Sequence, residues 1–502
     1  MAETETLLTP SAISYAWRQL GQRAGLPGCF PDKDGFAAAG MRCYYTATES
    51  FPAGQPYVAV TPCGRGEWRA LLERQPLTLD WLPARSAVPA GCQLPFDDTI
   101  PILFWGENCK EQGRPFAQRR EDGGVVFYVD LVATTLFMLS RWEETAITER
   151  DEHGRFPATA SVAHRQGFLD RPIVDQYALI LREWLKVLLP AWEPESQVFS
   201  VKLSHDVDHL GRFPRVSNAL RTIGRDLLKR QDLQRALANS GEAIVQYVAP
   251  HRTGYARGIE LLADWSREHG LTNDAFYFMA AGPGPMDGDY DVASDAIRRI
   301  VDRLTGQGFE IGLHAGYDTL GNPERLAEEK ARLDAVLGET HYGGRQHYLR
   351  FQVPDTWRHW EQAGLAYDAT MGYADGEGFR CGTCHPYRPF DLTLDAELDV
   401  WEHPLIVMDA TLFNYKKLLP DEADTRIGEL AQRCKQVEGT FTMLWHNSSL
   451  SGEWEPWRQV YRHALGVLAK MQGAWTSEAR PEDEKGGRVI APVSHQITDD
   501  RR

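Results

Sequence analysis

Along residues 1–195 the apolar positions come in short clusters broken by Pro, Gly and Trp, a pattern that predicts short strands and loops giving way to helices. One helix is expected from Asp130 through Leu131, Leu136, Phe137 and Leu139, turning polar at Arg141-Trp142-Glu143-Glu144. A second is expected over 174–189, and the two prolines of Pro190-Ala191-Trp192-Glu193-Pro194 mark a boundary after it. From Gln197 the pattern changes. Strand-like apolar runs at 198–203, 274–279, 309–313, 346–351, 365–370, 400–407 and 440–445 alternate with helical periodicity at 258–269, 293–305, 323–337, 354–363, 424–437 and 455–471. Such alternation predicts an α/β class chain, a distorted (β/α) barrel of about seven parallel strands. A helical insertion over 217–248 separates the first two strands. The expected organisation is a smaller mixed α+β N-terminal domain over 1–195, the barrel over 196–476, and a polar, disordered tail over 477–502.

Composition narrows the function classes. With 70 acidic against 54 basic residues and a net charge of −16, the chain has no basic field for a nucleic-acid backbone. Its start, Met-Ala-Glu-Thr-Glu-Thr, is acidic where a cleaved signal would be basic, and the most apolar stretch, 131–139, is far short of the roughly 20 residues that cross a bilayer. A cytoplasmic protein without a transmembrane segment is expected. The eight cysteines are scattered apart from Cys381-Gly382-Thr383-Cys384, and a single Cys-x-x-Cys without a second pair reads as packing.

Polar residues gather where the predicted strands end: Asp206 and Asp208, His314 and Asp318, Arg345 and His347, Asp368, and His446. In a βα barrel those ends meet on one face, so residues distant in sequence converge there. An isolated Asp-x-Asp is more often a turn or cap, but this one follows an apolar strand and lies between His205 and His209. Metal-assisted hydrolysis needs a few ligands, an open position, and a carboxylate that stays off the metal. Two aspartates one residue apart can divide those duties. Trp401, Trp445, Tyr348 and Tyr387 could stack on a sugar ring, although aromatic residues beside strands are more often core.

The stretch Leu203-Ser204-His205-Asp206-Val207-Asp208-His209 resembles the first motif of the polysaccharide deacetylases, carbohydrate esterase family 4. Glu310-Ile311-Gly312-Leu313-His314 is similar to their second motif and Thr442-Met443-Leu444-Trp445-His446 to their last. The whole chain resembles a bacterial branch with an additional N-terminal domain, through Leu139-Ser140-Arg141-Trp142-Glu143-Glu144, Arg345-Gln346-His347-Tyr348-Leu349-Arg350-Phe351 and Gly378-Phe379-Arg380-Cys381-Gly382-Thr383. The resemblance implies Asp206 as general base, Asp208 and His314 as metal ligands, and His446 as general acid. It also implies Arg345 as the arginine that orients the base, with Arg380 as rival, and Asp368 as the group that orients His446. The family's second motif has two histidines four apart, whereas here Asp318 takes the second position. Asp208, His314 and Asp318 would form a harder ligand set than the family's, with His209 or His347 as alternatives for the third place; zinc is the foremost metal, and other divalent ions are admitted. Pro95-Phe96-Asp97-Asp98-Thr99 imitates the first motif but is read as a turn.

The implied function is metal-dependent hydrolysis of an N- or O-acetyl group from a saccharide or polysaccharide precursor of surface polysaccharide metabolism. Two other readings stand beside it: hydrolysis of another C–N amide bond, and a non-catalytic glycan-binding or scaffolding protein with a degenerate site.

Overall fold

The computed structural model describes residues 8–473 apart from 27–29, 33–34, 39, 49, 53, 74–78, 97–98, 196 and 214–215. The Asp97-Asp98 pair and the tail over 477–502 therefore lie outside the described residues.

The first part of the chain builds a mixed sheet from β1 (Phe30–Asp32), β2 (Gly35–Ala38), β3 (Met41–Tyr45), β4 (Tyr57–Val60), β7 (Ala117–Arg119) and β8 (Val125–Phe127), in the order β1-β2-β3-β4-β8-β7. A separate antiparallel pair is made by β5 (Asp80–Pro83) and β6 (Thr99–Ile102). Asp130 starts the helix Leu131–Leu139 by accepting from Ala133 N–H at 2.8 Å, and its other oxygen takes Cys63 N–H and the Tyr45 hydroxyl. Every residue of that helix is buried, so the apolar run seen in the sequence is a core helix.

The second part forms an eight-stranded parallel sheet. Its strands are β9 (Ser200–Val207), β10 (Asp274–Met279), β11 (Glu310–Ala315), β12 (Gly344–Gln346) and β13 (Tyr367–Asp368), followed after the small hairpin of β14 (Phe390–Asp391) and β15 (Ala396–Glu397) by β16 (Trp401–Glu402), β17 (Val407–Met408) and β18 (Thr440–Leu444). The order is β16-β13-β12-β11-β10-β9-β18-β17. The strand count thus differs from the expected seven, and the cause is local. The run over 400–407 is two short strands at opposite edges of the sheet, interrupted at His403-Pro404.

That split also shows how far the sheet curls. Eight strands laid flat would put their outer members about 34 Å apart at roughly 4.8 Å per strand, whereas five steps of chain from Glu402 to Val407 reach about 18 Å at most. The edges must therefore approach one another. Residues 403–406 bridge them: His403 N–H donates to Asp368 O, Leu405 N–H to Met371 O, and Ile406 N–H to Thr442 O. The expected strand over 346–351 is also corrected. Pairing ends at Gln346, and Tyr348 and Leu349 then take φ of 62° and 54°, a left-handed turn that no strand accommodates.

One apolar core runs through both parts, joining residues such as Leu131, Phe137 and Tyr177 to Phe379, Cys381 and Tyr387. Two buried polar clusters cross the same seam. Asp175 accepts from Arg23 Nε, Thr383 Oγ1 and Cys384 N–H, and Glu144 accepts from both Arg141 and Arg380. Cys381 and Cys384 are packing residues in this seam. Among the described residues no helix is long and apolar enough to cross a membrane.

Candidate functional site

Strand alternation decides which groups of β9 face the barrel interior. Ser204 and Asp206 point inward and Asp208 follows in the same phase just past the strand end. His205 points the other way, where Nδ1 lies 2.7 Å from Trp445 O and Nε2 3.2 Å from Asp274, so it is a buried packing histidine. The strand end is fixed by Tyr290, whose hydroxyl donates to Val207 O and accepts from Met279 N–H.

Arg345, fully buried on β12, holds Asp206: Nη1 donates to Asp206 Oδ1 at 2.7 Å, Nη2 to Ser204 Oγ at 2.9 Å, and Nε to Ala369 O at 2.8 Å. The guanidinium also lies 5.0 Å from the Tyr277 ring centroid. Arg380, the rival, is committed to Glu144 and the carbonyl of Gly372 and does not approach Asp206.

Asp208, His314 and His347 bring ligand-type atoms within 4.8 Å of one another. His314 Nε2 is 3.2 Å and His347 Nε2 3.9 Å from Asp208 Oδ1. The far nitrogen of each ring is anchored, His314 Nδ1 at 3.0 Å from Arg345 O and His347 Nδ1 at 3.2 Å from Asp287 Oδ1. Protons on those Nδ1 atoms leave both Nε2 lone pairs aimed at Asp208, the arrangement that outer hydrogen bonds impose on ligating imidazoles. Asp208 Oδ1 and His314 Nε2 are buried and have no hydrogen-bond partner. Burial alone would raise the Asp208 pKa, but the hydrogen bond that His314 donates when protonated and the charge that His446, His347 and His314 then carry hold it well below the usual carboxylate range, and Asp206 and Asp208 in turn raise the His314 pKa against burial. Burial, reinforced by the neighbouring His314, lowers the pKa of His347 and favours its neutral form.

Asp318 stands apart from this group. It is exposed on the short helix Tyr317–Thr319, because the chain leaves β11 at Ala315 and turns, so Asp318 keeps neither the strand's nor a regular helix's register with His314. His347 takes the expected third position instead, and the set becomes one carboxylate and two imidazoles, the borderline donor mixture suited to zinc. His209 lines the same cleft with its ring 3.9 Å from Asp289.

His446 follows β18 and directs Nε2 to within 3.8 Å of Asp208 Oδ2. Its partner is not Asp368, whose carboxylate accepts from Thr370 N–H and Oγ1 on the far side of β13. Asp409, just past β17, accepts from His446 Nδ1 at 2.7 Å and from its N–H at 2.9 Å. Burial would lower the His446 pKa, but the charge and hydrogen bond of Asp409, joined by Asp208 and Asp206, push it up to about 10. Asp409 lies two residues past the run 400–407, so the strand-end rule that gathered the other groups applies to it as well, although the family motifs do not single it out. Asp287, in the loop Pro283-Gly284-Pro285-Met286-Asp287, carries no sequence signal of its role.

These groups open into a cleft of about 450 Å³ whose wall includes Tyr348, Met408, Asn414 and Tyr415. Arg155, from the first part of the chain, lines it as well: its Nε donates to Asp151, Nη1 to Tyr348 O at 3.0 Å, and Nη2 to the Tyr415 hydroxyl at 3.0 Å. Arg350 reaches back and donates from Nε to His153 O at 2.8 Å. Tyr348 is half-exposed in the cleft, Tyr387 and Trp445 are buried, and Trp401 is exposed elsewhere, stacked on Arg388.

A family model described as "Family of unknown function (DUF7033)" matches residues 82–190, a segment that includes Arg155 and Glu144. The chain is similar to a solved structure described as "putative polysaccharide deacetylase from Mycobacterium smegmatis", with 13% identity, a TM-score of 0.34, and coverage of 60% of this chain and 98% of that one. A likeness at that level carries no argument about function. The search of curated proteins returns no match.

Proposed function

We propose that this chain is a metal-dependent hydrolase that removes acetyl groups from a carbohydrate. The observation that carries the reading is the juxtaposition in one cleft of three parts: the Asp208–His314–His347 cluster with its orphaned Asp208 Oδ1 and His314 Nε2, an Asp206 held by Arg345, and a His446 held by Asp409. The carbohydrate and the acetyl group rest on the resemblance of the sequence motifs.

Asp208, His314 and His347 would hold the divalent cation, zinc foremost, and the orphaned Oδ1 and Nε2 atoms fit that role. When bound, the cation supplies Lewis acidity at the acetyl carbonyl. Arg345 occupies Asp206 Oδ1 and fixes the carboxylate, leaving Oδ2 to take a proton from the attacking water. The water oxygen forms the new bond to the acetyl carbon as the C–N or C–O bond to the sugar breaks. His446, still protonated at neutral pH through Asp409, delivers the proton that the departing amine or hydroxyl requires.

The experiment is acetate release from N- and O-acetylated saccharides by chelator-stripped protein to which zinc or another divalent metal is returned. Activity that returns with metal and is absent in Asp206→Asn, which keeps its metal, supports the reading. Full activity in Asp206→Asn, or in stripped protein, overturns it.

A further inference from the structure

The helical insertion is a hairpin with more exposed apolar surface than its own packing explains. Its arms are Val216–Arg225, continued as Asp226–Arg230, and Leu233–Val248. Of the fifteen large apolar side chains exposed among the described residues, nine lie between 216 and 248. They recur at helical spacing: 216, 220 and 227 on one arm, and 233, 237, 244 and 248 on the other, so each arm carries one apolar stripe. The stripes are not what joins the arms. Ala219, Asp226, Ala236 and Asn239 are buried there, and Asn239 donates to Asp226 at 2.6 Å. In both arms the stripe is rotated in the same sense from those contact residues. Helices folded back side by side therefore carry both stripes on one side of the hairpin.

Charge adds a second, independent observation. Arg221, Arg225, Lys229 and Arg230 are exposed on the hairpin, although the chain as a whole has a net charge of −16. Of the local acids, Asp226 is buried against Asn239 and Arg230, Glu242 is turned to the Gly254 N–H at the hairpin's root, and Asp232 is exposed at the tip, where it caps the second arm by accepting from the Arg235 N–H; four exposed basic groups still stand against that one exposed acid. The outer end thus reads Leu227-Leu228-Lys229-Arg230, with Leu228 83% exposed, and leucines and basic groups share one tip. The root lies at the cleft. Leu210 and Gly211 N–H groups donate to Asp289, which lines the cleft, and Phe213 exchanges two hydrogen bonds with Gln246.

We infer that the hairpin docks on an anionic lipid surface, its stripes in the headgroup boundary and its basic groups at phosphate level. It lies on the bilayer and does not span it. Arg221, Arg225 and Lys229, four apart, form a basic stripe on the polar side of the first arm, the division of faces found in helices that lie at an anionic bilayer surface. A second copy of this chain is the poorer occupant, since a two-fold pairing of this face would set the same cationic hairpins against each other. The inference is independent of the chemistry proposed for the cleft.

The test is co-sedimentation of the full chain with vesicles of phosphatidylcholine alone and of phosphatidylcholine mixed with phosphatidylglycerol. Binding to the anionic vesicles is expected to exceed binding to the neutral ones by about tenfold or more and to fall with salt. A variant with Leu227→Ser, Leu228→Ser and Leu233→Ser should lose it, and Arg225→Glu with Lys229→Glu should weaken it, both with an unchanged urea midpoint because the sites are exposed. No preference for anionic vesicles, or binding that survives the serine changes, overturns the inference. So does a lipid-free dimer that the serine changes dissociate, which would assign the face to a second copy.

Discussion

Asp409→Asn removes one charge 2.7 Å from His446 Nδ1 and keeps the shape of the side chain. With Asp409 the imidazole titrates at about 10; without it, burial opposes what remains of the attraction to Asp208 and Asp206. The pKa should then return to about 6.5 or below. At pH 8 the protonated fraction would fall from nearly complete to about 3%, a loss of roughly 30-fold in the acid form. The same shift is a stability statement. A histidine whose folded pKa is raised contributes stability that is fully present below the unfolded value and is lost as pH rises through the folded one, here between about 6.5 and about 10. Breaking the buried pair should cost about 3 kcal/mol at pH 6, and wild type and variant should converge above pH 10. The assays are an NMR titration of the His446 ring, assigned with His446→Ala, and urea unfolding across pH. If the His446 ring of the asparagine variant titrates where wild type does, Asp409 is not what holds the proton, and the acid role argued for His446 loses its physical basis.

Three further outcomes are expected. Asp287→Asn weakens the anchor on His347 Nδ1, so metal affinity, read by competition with a chromogenic chelator, should fall about 10- to 100-fold with the fold intact. Glu144→Gln leaves the buried Arg141 and Arg380 without their shared carboxylate and should lower unfolding free energy in urea by about 3–5 kcal/mol; a loss under 1 kcal/mol would show that water or Glu143 compensates. Burial pushes Glu329 up to about 7 against the Gly316 N–H and Arg325, so the folded state favours its protonated form and stability should decline as pH rises from about 4.5 to about 7. Glu329→Gln should therefore stabilise the protein relative to wild type at pH 8 and not at pH 5, as read from urea midpoints.

Periodicity located most of the barrel because strands such as β10 and β11 are buried along nearly their whole length and bounded by amphipathic helices. It lost resolution where strands shrink to two residues: the run 365–370 overruns β13, and the run 400–407 merges β16 and β17, since so short a strand has no period to bound it. The strand-end rule brought Asp206, Asp208, His314, Arg345 and His446 to one place. It does not extend to Asp318, because β11 ends at Ala315 and the chain turns into a short helix that carries Asp318 to the surface. His347 was legible only as an alternative, since its projection into the cleft depends on the left-handed turn at Tyr348 and Leu349, which the side chains do not announce. Asp287 and Arg155 come from loops whose paths are set by tertiary contacts, beyond the reach of local pattern.

The Arg155 contacts with Tyr348 and Tyr415, together with the Glu144 cluster under the barrel, have a thermodynamic corollary. A ligand in the cleft binds only the state in which the segment around Arg155 is docked, so its binding free energy is shared by residues that never touch it. Saturation at about 100 times Kd should add close to 2.7 kcal/mol to the opening free energy of the Leu131–Leu139 helix as well as to that of the barrel strands. Amide exchange would register this as slowed exchange in both parts at once. Severing the chain near residue 195 should abolish the shared protection, and each fragment would then report ligand, if at all, on its own.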